Sequence, residues 1–197
     1  MRVAFVNGSP RKEQGITARL LRVMEERLPG CEITRGWEEP CDALLIAFPL
    51  YVDGIPSNLL RELIAHEHSL KPGTRVYALV NNGFYEGEQN AGAISMLRNW
   101  CERAGLVWGQ GIGVGAGEIL KREPIMAMAT VVARGPLKKY NAALNSLAGH
   151  ILAGEGGEDI YTNPGMPRAM YIFGGNISFR AAAKKNGLSK REIKHRL

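Results

Sequence analysis

The feature that most constrains the fold is a regular alternation between short apolar runs and amphipathic segments with helical period. Residues 3–6, 42–48 and 75–80 are nearly continuous apolar runs, which is typical of strands buried on both faces. Residues 16–28 and 57–68 lie between them and place leucines three or four positions apart, as an amphipathic helix does. Strands that alternate with helices in this way predict a parallel sheet with helices on both of its faces.

The rest of the chain continues this pattern and then departs from it. The pattern predicts a weak strand at 32–34, a helix at 91–104, a fifth strand from 106, and helices at 124–134 and 137–153. Residues 154–167 are rich in Gly and Pro and are predicted to form a loop, and residues 170–173 are predicted to form an edge strand or a docking segment. At 197 residues, of which 45% are hydrophobic, the chain is expected to form one compact α/β domain.

The positive charge of the chain is concentrated at its C-terminal end. Residues 1–177 contain 18 Lys or Arg and 18 Asp or Glu, whereas residues 178–197 contain seven and one. This basic tail is predicted to form a helix, a turn at Asn186-Gly187 and a second helix that begins with a capping box at Ser189. Because a DNA-binding surface normally spreads over one face of a fold, nucleic acid is not an expected partner.

Nothing in the sequence indicates export or a metal centre. Met1-Arg2 leads directly into a strand, and the longest apolar stretch of the second half, residues 124–133, is half the length that a membrane-spanning helix needs. Cys31, Cys41 and Cys101 have no metal-ligand spacing and are read as packing residues in a reducing compartment. We therefore expect a cytoplasmic protein without a metal site and without a membrane partner.

Three loops are the natural candidates for a binding site. In an open parallel sheet, ligands bind outside the carboxyl ends of the strands, where the strand order reverses. The loops at residues 7–17, 48–56 and 81–90 follow the first, third and fourth predicted strands.

The first loop has the composition of an anion site. It places Ser9 and Arg11 just before a helix N-terminus, where unpaired N–H groups and the helix dipole favour a phosphate. The loop lacks the GxxxxGK[ST] pattern of nucleotide hydrolases. An ordinary strand-to-helix turn is the alternative interpretation of this loop alone.

The other two loops are suited to a flat ligand. The second combines the rigid Pro49 and Pro56 with Tyr51, and the third combines Gly83 with two aromatic residues and acidic acceptors. Each loop taken alone can also be an ordinary surface loop. Their occurrence after three strands of one predicted sheet favours a shared site.

The three loops also carry a family resemblance. FVNGSPRK, FPLYVDGIPSNL and NNGFYEGEQN resemble, in this order, the NADPH-dependent FMN reductase family over about residues 1–110, and AKKNGL is similar to the end of some members. The resemblance implies a flavodoxin-like three-layer sandwich with a five-stranded parallel sheet of order 2-1-3-4-5, extended here by C-terminal helices. It also implies non-covalent FMN bound by the three loops.

By this resemblance, one set of residues is expected to bind the cofactor. The phosphate is expected on the first loop, and the ribityl chain and ring system on the other two. The set comprises Ser9, Pro10, Arg11, Gln14, Ile16, Thr17, Pro49, Leu50, Tyr51, Val52, Asp53, Asn82, Gly83, Phe84, Tyr85 and Glu88. Gln14-Gly15-Ile16 stands where many family members have Ser or Asn, and the cysteine cluster of the iron–sulfur members is absent.

The implied activity is hydride transfer from NAD(P)H to bound FMN, and from there to a flavin, a quinone or another small acceptor. Because the cofactor carries this chemistry, no catalytic side chain is predicted. The alternatives are a non-enzymatic, flavodoxin-like electron carrier and a binding or regulatory protein on the same fold. The second binds flavin without being an enzyme, has lost the flavin, or uses its basic tail on nucleic acid. The resemblance also implies a homo-oligomer, either a dimer or a tetramer.

A second glycine motif offers a weaker alternative. Gly111-Ile-Gly-Val-Gly-Ala116 satisfies G-x-G-x-x-A, but it follows the fifth predicted strand and no clear helix opens directly after it. We expect these glycines to permit a bend or close packing rather than to bind a dinucleotide.

Overall fold

The computed structural model describes residues 1–121, 137–188 and 192. Residues 1–164 and 165–197 form two compact units. The predicted helix at 124–134 and the predicted capping box that begins at Ser189 lie outside the described residues. No helix among the described residues is long and apolar enough to cross a lipid bilayer.

The first unit alternates strands and helices as the sequence predicts. Its elements are β1 (Arg2–Asn7), α1 (Ile16–Glu26), β2 (Glu32–Arg35), β3 (Ala43–Pro49), α2 (Ser57–His66), β4 (Arg75–Asn81), α3 (Ala91–Arg103), β5 (Val107–Val114), α4 (Lys138–Ala153) and β6 (Ile160–Thr162). Short 3-10 turns cover Lys12–Gln14, Gly87–Asn90 and Gly117–Lys121. The second unit contains one described helix, α5 (Arg168–Lys185).

The sheet is parallel throughout, in the order β2-β1-β3-β4-β5-β6. Successive side chains of each strand point to opposite faces of the sheet, so the side chains of one strand pack in two hydrophobic cores. Phe5 of β1 packs in the core beneath α1 and α4, whereas its neighbours Ala4 and Val6 pack in the core beneath α2 and α3. The predicted three-layer α/β architecture is confirmed.

The prediction of five strands is wrong, because residues 160–162 add a sixth strand beside β5. Asp159 positions this segment: its Oδ1 accepts hydrogen bonds from the Gly111 N–H at 2.8 Å and the Trp108 Nε1–H at 3.1 Å. Its Oδ2 pairs with Arg98 of α3. A three-residue strand within a Gly- and Pro-rich stretch has no apolar run to reveal it, and its pairing depends on contacts with residues about 50 positions away.

The prediction of an edge strand at residues 170–173 is also wrong, because these residues form part of α5. The strand was predicted only because residues 170–173 form a short apolar run. Such a run does not distinguish a strand from a helix.

The glycines of β5 serve close packing, as the sequence analysis expected. A Cβ on Gly113 would lie 2.8 Å from the Gly87 carbonyl oxygen, and one on Gly115 would lie 2.3 Å from the Tyr85 carbonyl oxygen. Gly111 and Gly113 both lie within the strand itself. The segment that follows β4 therefore packs directly on the backbone at the end of β5.

Candidate functional site

The three loops predicted to bind a ligand meet in one open cleft at the carboxyl edge of the sheet. The cleft lies beyond the ends of β1, β3 and β4, where the chain leaves β1 for one face and β3 for the other. It is lined by Ser9, Arg11, Gly15, Ile16, Thr17, Pro49, Leu50, Tyr51, Asn81, Asn82, Gly83 and Glu118. This is the position at which open parallel sheets bind their ligands.

The lining overlaps largely with the predicted residues. Of the predicted set, Ser9, Arg11, Ile16, Thr17, Pro49, Leu50, Tyr51, Asn82 and Gly83 line the cleft, whereas Pro10, Gln14, Val52, Asp53, Phe84, Tyr85 and Glu88 do not. Three lining residues, Gly15, Asn81 and Glu118, were not among those predicted from the sequence. Asn81 and Glu118 were detectable in principle, because they stand at or just after the carboxyl ends of two strands of the same sheet.

The first loop is held in shape by its own hydrogen bonds. The Ser9 N–H donates to Asn7 Oδ1 at 3.1 Å, and the Arg11 N–H donates to Ser9 Oγ at 3.2 Å. A Cβ on Gly15 would lie 2.9 Å from Ser9 Oγ, so a larger residue at this position would displace the hydroxyl group. The turn is therefore formed before any ligand arrives.

Helix α1 presents an uncapped N-terminus to the cleft. Its N-cap residue is Gly15, which has no side chain to cap the helix, and no side-chain cap is found among the described residues. Arg11 is exposed beside this terminus and makes no ion pair within the described part of the chain. Unpaired N–H groups, the positive end of the helix dipole and a guanidinium group together favour an anion here.

Thr17, one of the residues predicted to bind the cofactor, also makes a hydrogen bond within the protein. Its hydroxyl group is buried and donates to Asn81 Oδ1 at 2.9 Å. This bond ties the first turn of α1 to the end of β4. The hydroxyl proton is thereby committed within the protein, and the main-chain N–H is the donor that Thr17 retains for a ligand.

The second loop contains a tight turn with an unusual backbone. Tyr51 and Gly54 exchange two main-chain hydrogen bonds, at 3.2 and 3.0 Å, around Val52 and Asp53. These two central residues have φ of 49° and 56°, the left-handed conformation of a type I′ turn, which a β-branched residue rarely adopts. The turn exposes Val52 completely and sets Tyr51 at the edge of the cleft.

The third loop contributes a buried acceptor without a partner. Asn82 is 4% exposed, and its Nδ2 donates to the Glu86 carbonyl oxygen at 3.0 Å. Its Oδ1 is buried and has no hydrogen-bond partner in the described structure. Since an unpaired buried acceptor costs about 1–3 kcal/mol, a ligand that donates a hydrogen bond here would recover that energy.

These features fit FMN. The uncapped end of α1 with Arg11 suits a phosphate, and the Asn82 amide suits a donor on a ribityl chain or a ring edge. Pro49, Leu50 and Tyr51 supply apolar surface for a flat ring. The described ranges, 1–121 and 137–188, contain no group of three or more His, Cys, Asp or Glu side chains placed to hold a metal ion.

The cysteines take no part in the cleft. Cys41 and Cys101 are buried and Cys31 is half-buried, and none forms a disulfide. Burial is the main cause that raises the pKa of both buried thiols to about 12. At neutral pH these groups remain protonated, which fits their predicted role in packing.

Comparison with known proteins supports the fold but, at the low sequence identities found, does not show a function. The sequence matches no protein-family model, and no curated protein is significantly similar to it. A solved NADH:FMN oxidoreductase (EMOB) in its apo form is 16% identical, with 80% of this chain and 91% of that chain covered and a TM-score of 0.55. The flavodoxin of Streptococcus pneumonia TIGR4 is 13% identical over 78% of this chain and 99% of that one, with a TM-score of 0.53.

A third solved structure agrees with these two. An NADPH-quinone reductase from P.pentosaceus is 13% identical, covers 75% of this chain and 98% of its own, and has a TM-score of 0.51. The β2-β1-β3-β4-β5 order of the sheet is the one that the sequence resemblance implied, with β6 added at its edge. The chain therefore has the flavodoxin-like fold.

Proposed function

We propose that the protein is an FMN-dependent NAD(P)H oxidoreductase that acts in the cytoplasm. It transfers hydride from NAD(P)H to bound FMN and then electrons to a flavin, a quinone or another small acceptor. One observation carries the proposal: the N-terminus of α1, Arg11 and Asn82 line one cleft at the carboxyl edge of the sheet, and Arg11 makes no ion pair among the described residues. Solved FMN-utilising oxidoreductases and flavodoxins share this fold.

The phosphate end of the cofactor is assigned to the first loop. The main-chain N–H groups of Ile16 and Thr17 and the guanidinium group of Arg11 would donate to it. Ser9 Oγ already accepts the Arg11 N–H, so its proton remains to be donated and completes the donor set. Glu118 adds a carboxylate to the lining of the cleft.

The ring end is assigned to the second and third loops. Pro49, Leu50 and Tyr51 would flank the ring, and Asn82 and Gly83 would meet its polar edge. Five predicted residues of these two loops lie outside the lining and are assigned to the rim of the site: Val52, Asp53, Phe84, Tyr85 and Glu88.

When bound, FMN supplies the hydride-accepting and electron-donating chemistry. The side chains of this protein bind and orient it, and none is assigned as a general acid, a general base or a nucleophile. Leu50, whose N–H donates to the Asn81 carbonyl oxygen at 2.8 Å, fixes the second loop against the end of β4. The orientation of a ligand is thus set by main-chain contacts between neighbouring loops.

The test is the visible spectrum of the purified protein, followed by anaerobic addition of NADH and of NADPH. We expect the bands of oxidised flavin, either as purified or after FMN is added, and their loss with at least one of the two donors. If the protein neither contains nor takes up FMN, the proposal is wrong.

The phosphate assignment has its own test. Arg11→Ala removes a charge-assisted contact and is expected to weaken FMN binding about 10- to 100-fold, measured by quenching of FMN fluorescence. Arg61→Ala is the matched control, because Arg61 is exposed on α2 and does not line the cleft. Equal FMN affinity in the two variants would place the phosphate elsewhere.

A second candidate function is a non-enzymatic electron carrier. The likeness to a solved flavodoxin, with 99% of that chain covered, favours it. The two functions differ in one result: a carrier that binds FMN is reduced by dithionite but is bleached by neither NADH nor NADPH. A protein that binds no flavin would instead point to a regulatory function on the same fold.

A further inference from the structure

The peptide group between Gly8 and Ser9 is held at both ends by asparagine side chains. Its carbonyl oxygen accepts a hydrogen bond from Asn58 Nδ2 at 3.1 Å, and its N–H donates to Asn7 Oδ1 at 3.1 Å. Asn58 lies in the first turn of α2, 50 positions from Gly8 in the chain. Because a peptide group is planar and rigid, the two hydrogen bonds together fix its orientation and form a peptide lock.

Close packing brings this peptide group to α2. Gly8 is buried, and a Cβ on it would lie 2.5 Å from Leu59 Cδ2 and 3.1 Å from Phe48 Cβ. The Gly8 N–H also donates to the Ala47 carbonyl oxygen at 2.8 Å, which ties the start of the loop to β3. Asn58, the residue before Leu59, reaches the Gly8 carbonyl oxygen because Gly8 has no side chain to hold the two elements apart.

The Asn7 side chain cannot turn over to follow a rotated peptide group. Its Nδ2 donates to the Lys12 carbonyl oxygen at 3.3 Å while its Oδ1 accepts the Ser9 N–H. A rotation of the Asn7 amide by half a turn would set a donor against a donor and an acceptor against an acceptor. Lys12 has a φ of 46°, a strained conformation that persists only where surrounding contacts hold it. Asn7 therefore holds the loop at both Ser9 and Lys12.

The peptide lock sets the position of two residues that line the cleft. Ser9 is 2% exposed, and its Oγ accepts the Arg11 N–H at 3.2 Å. A rotation of the peptide group before Ser9 would move this hydroxyl group and release the main chain of Arg11. Ser9 and Arg11 line the cleft, whereas Asn7 and Asn58 do not. The two asparagines thus act on the cleft through Ser9 and Arg11.

We propose that Asn7 and Asn58 are positioning residues that hold the first loop in the shape that receives the FMN phosphate, and so let the protein discriminate FMN from riboflavin. The inference rests on the proposed function, in which the phosphate lies on this loop. Riboflavin is FMN without its phosphate group, so a phosphate loop strengthens the binding of FMN alone. A loop that is shaped before the ligand arrives loses less conformational entropy on binding.

Amide hydrogen exchange, followed by NMR, tests the peptide lock without a ligand. In the ligand-free protein, Asn7→Ala and Asn58→Ala should each raise the exchange rate of the Ser9 N–H by about tenfold or more. Asn99→Ala is the matched control and should leave this rate unchanged, because Asn99 is exposed on α3 and does not line the cleft. Asn58→Ala is the decisive variant, since Asn58 bonds to the other end of the peptide group. Unchanged Ser9 exchange in Asn58→Ala would overturn the proposal.

Flavin affinity, measured by fluorescence quenching, tests the positioning role. Asn7→Ala and Asn58→Ala should each weaken FMN binding about tenfold or more and change riboflavin binding by less than about twofold. Asn99→Ala should change neither affinity. A variant that only destabilises the fold would weaken the binding of both flavins equally. An unchanged ratio of the two affinities in Asn58→Ala overturns the proposal, and this variant alone decides if Asn7→Ala fails to fold.

The double variant shows whether the two asparagines act together. Once either hydrogen bond is lost, the peptide group can rotate, so the loss of the second should matter less. The combined loss of FMN affinity should therefore be smaller than the product of the two single losses. Single effects that multiply fully would overturn the shared peptide lock.

The two measurements separate this inference from the proposed function. A chain that binds neither flavin overturns the proposed function and the discrimination with it, while faster Ser9 exchange in Asn58→Ala would still support the peptide lock. A chain that binds FMN and riboflavin equally well supports flavin binding and overturns the discrimination.

Discussion

Replacing Gly115 by Ala tests how the third loop is held at the cleft. Gly115 follows the end of β5, and a Cβ there would lie 2.3 Å from the Tyr85 carbonyl oxygen, 2.7 Å from the Gly87 nitrogen and 2.9 Å from the Glu86 carbonyl carbon. All three are main-chain atoms, so the clash cannot be relieved by the rotation of a side chain. The loop that carries Asn82 must move by several tenths of an ångström or more to admit the methyl group.

The expected cost is about 2–3 kcal/mol, in the upper part of the range for overpacking, because the clash is with backbone on three sides. For a chain of this size, 1 kcal/mol lowers the melting temperature by roughly 2–4 °C, so Gly115→Ala should lower it by about 4–12 °C. The measurements are thermal unfolding and urea unfolding followed by tryptophan fluorescence. The same variant should bind FMN more weakly, because the loop displaced by the methyl group includes part of the cleft.

Gly149→Ala is the matched control. Gly149 lies within α4, and a Cβ there meets no atom within 4 Å. This substitution should stabilise the protein by about 0.5–1 kcal/mol, through helix propensity alone. If Gly115→Ala loses less than about 0.5 kcal/mol, or if it behaves like Gly149→Ala, the close approach of the loop to β5 is not as described.

Three further predictions concern the core, the thiols and the second loop. Tyr77→Phe removes a hydroxyl group whose one proton is shared between two main-chain carbonyl oxygens, at 2.9 and 2.8 Å, and should cost about 1–2 kcal/mol in urea unfolding. Burial raises the pKa of Tyr77 to about 12, so this residue's stabilising contribution is complete below about pH 10 and is lost as the pH rises from 10 through 12, which ultraviolet titration of the phenols can follow. In a thiol-reagent assay at pH 8, Cys31 should react with the folded protein while Cys41 and Cys101 react only on unfolding, and fast reaction of all three would contradict the burial described here. Val52→Asn should raise the free energy of unfolding by about 0.5–1 kcal/mol, because Asn tolerates the positive φ at this turn better than Val, and a destabilised variant would show that Val52 makes a contact outside this chain.

The sequence predicted the position of the cleft better than it predicted the hydrogen-bond partners of the residues that line it. Loops at the carboxyl ends of β1, β3 and β4 can be recognised from strand order alone, and Ser9 and Arg11 were placed correctly in the lining. The Thr17 hydroxyl group donates a hydrogen bond to Asn81, a residue 64 positions away, and the sequence did not predict this contact. Such pairings depend on which loops become neighbours, and a local pattern carries no information about that.

The sequence by itself determined the α/β architecture, because apolar periodicity and turn residues depend only on residues a few positions apart in the chain. The expectation that the first loop binds an anion also comes from a local pattern, Ser9 and Arg11 just before a helix N-terminus. Only the tertiary structure decided that residues 160–162 join the sheet and that residues 170–173 are helical, since a short apolar run can adopt either form and long-range contacts choose between them. The tertiary structure also decided that Asn82 Oδ1 is buried without a hydrogen-bond partner among the described residues, because burial and hydrogen bonding are properties of the whole packed chain.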